Sequence, residues 1–90
     1  MTMMRLKVEE VGKALHPSEA VVAIKTADGN ERLVVSRRSI QNNAIQVGWP
    51  LGKKDKNIFL VELPRETQTG SWRVWVDGSQ LIATEERMRA

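Results

Sequence analysis

Glu19-Ala20-Val21-Val22-Ala23-Ile24-Lys25-Thr26, then Ala27-Asp28-Gly29-Asn30, then Glu31-Arg32-Leu33-Val34-Val35-Ser36, is the stretch that decides the fold. Two runs rich in β-branched residues flank an Asp-Gly dipeptide, the short-range signature of a β-hairpin. With Asp28-Gly29 at the tip, Thr26 pairs with Glu31, Ile24 with Leu33 and Val22 with Val35. Both apolar pairs then share one face. The same register sets Lys25 opposite Arg32, a like-charge pair that needs an acidic neighbour.

A second hairpin follows downstream. Asn57–Leu63 and Trp72–Val76 are joined by the longer loop Pro64-Arg65-Glu66-Thr67-Gln68-Thr69-Gly70-Ser71, and Pro64 marks the end of the first strand. The preferred register pairs Leu63 with Trp72, Val61 with Val74 and Phe59 with Val76, and sets Glu62 opposite Arg73. A one-residue slip would place Glu62 beside Trp72 and Arg73 beside Val61, so charge selects the register. Trp72 then points inward. Leu60 and Trp75 become neighbours on the opposite face, with Ile58 next along.

The two hairpins read as weak copies of one unit. Val22–Val35 corresponds to Phe59–Val76, and Ile24–Leu33 to Val61–Val74. Each second strand runs into a polar turn and an aliphatic residue, Ser36-Arg37-Arg38-Ser39-Ile40 and Asp77-Gly78-Ser79-Gln80-Leu81.

Period-two alternation extends to the N-terminal side, where Met4, Leu6 and Val8 alternate with Arg5, Lys7 and Glu9 and Gly12 closes the strand. His16-Pro17 marks a connection. Ile45 and Val47 suggest a short strand, interrupted by Gly48, Pro50 and Gly52. Lys53-Lys54-Asp55-Lys56 reads as an exposed turn. Thr84 is placed to cap a helical turn over residues 84–90, with Glu85 and Glu86 early and Arg87 and Arg89 late. The reading is an all-β single domain over residues 1–90, a small antiparallel barrel or compact sandwich of five to seven short strands with a short C-terminal helical turn. An SH3-like barrel is the nearest shape by strand count and size.

Composition bounds the chemistry. The chain has 90 residues, of which 41% are hydrophobic and 28% charged, an ordinary balance for a globular domain. It has no cysteine and one histidine, so neither a thiolate site nor a two-histidine metal motif is available within it. No apolar run approaches the ~20 residues of a membrane helix. Met1-Thr2-Met3-Met4-Arg5 lacks the apolar stretch of a secretory signal, which points to a cytoplasmic location. No glycine cluster has a phosphate-binding pattern. His16 has only Ser18 and Glu19 nearby, and Glu62 and Glu66 read as a salt-bridged strand and its turn. The expectation is a chain that is not an enzyme and needs no cofactor or metal.

Two binding surfaces are expected instead. Leu60 and Trp75 form an apolar face that another segment, a protein partner or a second copy must cover, with Trp49 as a rim contact. The alternative is nucleic acid. Residues 21–60 carry seven bases (Lys25, Arg32, Arg37, Arg38, Lys53, Lys54 and Lys56) against Asp28, Glu31 and Asp55, a net charge of +4. Bases beside an exposed tryptophan suit single-stranded nucleic acid.

Overall fold

In the computed structural model the backbone is described for residues 2–85 and the side chains for residues 4–83. The class is all-β. Nine strands follow in order: β1 (Thr2–Lys7), β2 (Glu9–Lys13), β3 (Glu19–Thr26), β4 (Gly29–Ser36), β5 (Ala44–Val47), β6 (Gly52–Lys54), β7 (Ile58–Glu62), β8 (Arg73–Asp77) and β9 (Leu81–Glu85). They form three antiparallel sheets of three strands: sheet A in the order β5-β1-β9, sheet B in the order β2-β3-β4 and sheet C in the order β6-β7-β8. The barrel is not closed, and the strands outnumber the five to seven expected.

β1 and β2 are two arms of one bent strand. Only Val8 separates them, and its N–H donates to the Asn43 carbonyl at 2.9 Å, prolonging the ladder with β5. Leu6 is paired on one side with Ile45 and on the other with Leu81. Gly12 does not close the strand. It lies in β2, just past a bulge that leaves Val11 41% exposed. The inner faces of all three sheets meet in one cluster that includes Leu6, Val22, Ile24, Leu33, Ile45, Val61, Val74 and Val76.

The second hairpin has the expected register: Phe59–Val76, Leu60–Trp75, Val61–Val74 and Glu62–Arg73. Leu63 N–H donates to the Trp72 carbonyl at 2.8 Å. The first hairpin is shifted by two residues from the expected register. Thr26 pairs with Gly29, Val22 with Leu33 and Ala20 with Val35. An even shift keeps every apolar side chain on its face. It also moves Lys25 opposite Asn30 and Arg32 opposite Ala23, relieving the like-charge pair. A type I′ turn needs positive φ at both central residues. Neither Ala27 nor Asp28 has it, and Gly29 takes φ +143° as the closing residue.

Each hairpin runs into a 3₁₀ turn, Arg37–Ser39 and Gly78–Gln80. The caps match. The Ser36 side chain accepts from Arg38 N–H, and the Asp77 carboxylate accepts from Ser79 N–H. Each hairpin is thus followed by a 3₁₀ turn and a strand, β5 or β9, that flanks β1, but the pairs Val22–Val35 and Ile24–Leu33 that matched the hairpins to each other are not formed.

Two further expectations are corrected. Lys53 and Lys54 are in strand β6, and the turn is confined to Asp55-Lys56-Asn57, with Asp55 at φ +54°. Thr84 and Glu85 belong to β9, which pairs with β1 through Met3–Thr84 and Thr2–Glu85, so they do not start a helix. The remainder of the expected helical turn, residues 86–90, lies outside the described residues. No described helix is long and apolar enough to cross a membrane.

Leu6, fully buried and central in sheet A, is the position most exposed to cavity effects. Leu6→Ala is expected to cost about 3 kcal/mol of unfolding free energy in a urea titration. Lys7→Ala, on the exposed side of the same strand, is expected to stay within about 0.5 kcal/mol of the parent.

Candidate functional site

Sheet C positions the expected apolar face. Gly52, Leu60 and Trp75 stand in one row across β6, β7 and β8. Leu60 and Trp75 are half-buried, and the chain itself supplies the cover. A β-carbon built on Gly52 would sit 3.9 Å from both Leu60 Cβ and Trp75 Cη2, so the indole lies along β7 towards β6. Lys54 Nζ stands 4.5 Å from the centre of the Trp75 ring, a cation–π contact. On the opposite face Lys53 Nζ lies 5.5 Å from the centre of the Phe59 ring. The Trp75 carbonyl accepts the Ala27 N–H at 2.7 Å, which ties the tip of the first hairpin to β8.

Trp72 does not point into the core as expected. It is 54% exposed, because the core ends at Leu63 and Val74 and no strand among the described residues covers it. The preceding loop holds it there. Thr67, the single buried polar residue among those described, accepts from Ser71 N–H at 3.0 Å through its hydroxyl, while its own N–H donates to the Ser71 carbonyl at 2.9 Å. Gln68 N–H donates to the Arg32 carbonyl, and the Thr69 hydroxyl donates to Glu31 at 2.6 Å, so the loop docks on β4. Trp49 is 57% exposed and Leu51 is 54% exposed. Leu51 N–H donates to the Leu60 carbonyl, and the preceding Gly48 lines a shallow groove with Glu62, Leu63 and Pro64. Trp49 and Leu51 therefore run beside one flank of the Leu60–Leu63 segment, and Trp72 is bonded to its other flank. The exposure of Leu51 and Trp72 was not legible in the sequence. The signal was three large apolar residues at the ends of segments, where alternation no longer assigns a face.

The basic set divides. Lys53 and Lys54 occupy β6, and Lys56 occupies the turn after it. Arg37 is held by Glu10 at 2.9 Å and by the Pro17 carbonyl at 3.3 Å. Arg38 lies beside it in the first 3₁₀ turn. Lys25 and Arg32 lie on β3 and β4 of sheet B.

The acid–base candidates are local turn chemistry. His16 Nδ1 accepts from Ser18 N–H at 3.2 Å and lies 2.6 Å from Ser18 Oγ, but both residues are exposed. The adjacent carboxylate, Glu19, is bridged to Arg65 at 2.9 Å and so does not orient the imidazole. Glu62 is held by Arg73 at 3.3 Å. No group of three metal-ligating side chains occurs among the described residues. Compared with known proteins, the chain matches no family model, no curated protein and no solved structure.

Two outcomes follow from this geometry. Trp75→Ser is expected to lower unfolding free energy by ~2 kcal/mol, since the half-buried indole loses its contacts with Gly52, Leu60 and Lys54, and to leave the hydrodynamic mass at the parent value. Glu31 is held below the ordinary carboxylate range, first by the Thr69 hydroxyl and then by that of Thr67. A lowered folded-state value means the tie stabilises above the ordinary carboxylate range and is lost as pH falls through the lowered value. Thr69→Ala is expected to raise the Glu31 titration midpoint, read by carbon-detected NMR of its side-chain carboxyl.

Proposed function

We propose that the chain is a non-catalytic β interaction module that binds a protein partner through the apolar end of sheet C. The observation that supports this reading is that Trp49, Leu51 and Trp72, each more than half exposed, lie along the two flanks of the Leu60–Leu63 segment at one end of sheet C. Exposed tryptophans are costly to leave in water and are the side chains that dominate interface energies. β6 adds a strand edge bonded on one side only, within sheet C. Lys53, Lys54 and Lys56 beside it have no carboxylate within ion-pair distance among the described residues. The partner chemistry that fits is an extended acidic segment carrying large apolar anchors, laid along β6.

Nucleic-acid binding by residues 25–56 is the second reading, favoured by one observation: Lys54 and Lys53 stack on Trp75 and Phe59, which interleaves bases with aromatic rings. It has less support, because Arg37 is engaged with Glu10 and the remaining bases lie on different sheets.

Selection from a random peptide library separates the two. Acidic peptides with aromatic or aliphatic anchors are expected, and Trp49→Ser combined with Trp72→Ser is expected to weaken them at least about tenfold. A library that returns no tryptophan-dependent peptide overturns the first reading. Binding of single-stranded oligo-dT that falls steeply with salt and is lost with Lys53→Ala and Lys54→Ala selects the second.

A further inference from the structure

We infer that the hollow at the Val8 bend is a binding site for a small oxyanion of single charge, a carboxylate or a phosphate group; it is separate from the surface proposed above. Glu9 pairs with Ala23, and two further steps along that ladder would set Lys7 opposite Lys25. Those steps are not taken. At the bend the strand leaves β3 and pairs with β9 instead, through Leu6 and Leu81, and the next residues of that ladder, Lys7 and Gln80, line the opening. Lys25 is paired on its other side with Asn30 of β4, and both line the opening as well. The strands therefore part between the two lysines, and the gap is a hollow of about 190 Å³. Val8 and Ile24, both buried, form its floor, so it ends on the core.

Charge selects the occupant. Like charges directly opposite each other on two strands are destabilising. Neither lysine is relieved by the protein: no ion pair among the described residues includes Lys7, Lys25 or Glu9, although Glu9 lines the same hollow. An oxyanion lodged between the two ammonium groups replaces one repulsion with two attractions and accepts a charge-assisted hydrogen bond from each. Asn30 and Gln80 flank the lysines on either side, and their carboxamide N–H groups can donate to the other oxygens. The apolar floor keeps water from one side of the contact, which strengthens it.

Two limits narrow the class. The lining carries two lysines and one glutamate, which suits a single negative charge, and Glu9 opposes a second. The volume lies below the ~300 Å³ at which pockets for drug-sized ligands begin. The ligand is therefore a small acid, too small to be a nucleotide or a peptide.

The test follows backbone and side-chain amides by NMR during titration with sodium acetate and, separately, sodium dihydrogen phosphate. Ionic strength is held constant, and weakly acid solution keeps the phosphate singly charged. Saturating shifts are expected at Lys7, Val8, Lys25 and the carboxamides of Asn30 and Gln80. The tighter of the two salts assigns the ligand to the carboxylate or the phosphate class. Lys7→Ala and Lys25→Ala are each expected to weaken binding at least about tenfold, the loss of one charge-assisted hydrogen bond. Both side chains are exposed, so both variants are expected to keep the parent circular dichroism spectrum. Lys56→Ala, outside the hollow, is expected to bind like the parent. No saturating shift with either salt up to about 100 mM overturns the inference. So do shifts centred on other residues, undiminished binding in the variant carrying both Lys7→Ala and Lys25→Ala, or equal weakening by Lys56→Ala.

Discussion

The bend at Val8 is the constraint on which the rest of the structure depends. One strand supplies the centre of sheet A as β1 and an edge of sheet B as β2, so a single backbone segment fixes the relation between two layers. The bend is held from both directions. Val8 N–H bonds to Asn43, whose φ of +59° turns the chain into β5, and the bulge at Val11 lets β2 follow the twist of β3. With Leu6 between Ile45 and Leu81, the closing strands of both hairpin units are brought to one backbone. Sheet C joins less directly, through the core and the bond between Ala27 and Trp75.

Polar ties then decide what faces water. Thr67 organises a loop that would otherwise leave buried donors without partners, and the loop ends by presenting Trp72. Lys54 rests on Trp75 and Lys53 on Phe59 at an edge strand. Lysines at such an edge discourage indiscriminate pairing with other strands while remaining available to an acidic one. The same side chains thus serve as cover, guard and candidate contact.

How much of this was legible in the sequence follows from the strength of local signals. The second hairpin was readable because Glu62 opposite Arg73 separates two registers that apolar pairing alone does not. The first was misread by two residues because Asp-Gly suggested the tip, whereas Gly29 serves to close it and the bond from Ala27 to Trp75 is made in tertiary structure. β6 was invisible, being three residues long and mostly lysine. Its absence from the reading hid the cover over Trp75. Glu85, Glu86 and Arg87 suggested a helix end, but backbone pairing with β1 claims Thr84 and Glu85 for a strand.

The pairing of β1 with β9 also bears on the order in which the molecule can be made. Thr2 faces Glu85 and Leu6 faces Leu81, so the ladder closes a loop spanning nearly all the described chain. During synthesis the first strand emerges long before its second neighbour exists. Until Leu81–Glu85 leaves the ribosome, Met4 and Leu6 have only β5 beside them, and one edge of the central strand stands open. Local hairpins form early, but this last pairing carries a large loop-closure cost and makes folding slow for a chain of this size. The nascent protein therefore has a period in which an apolar strand edge is exposed, the interval when association with a chaperone or with a neighbouring nascent copy matters most.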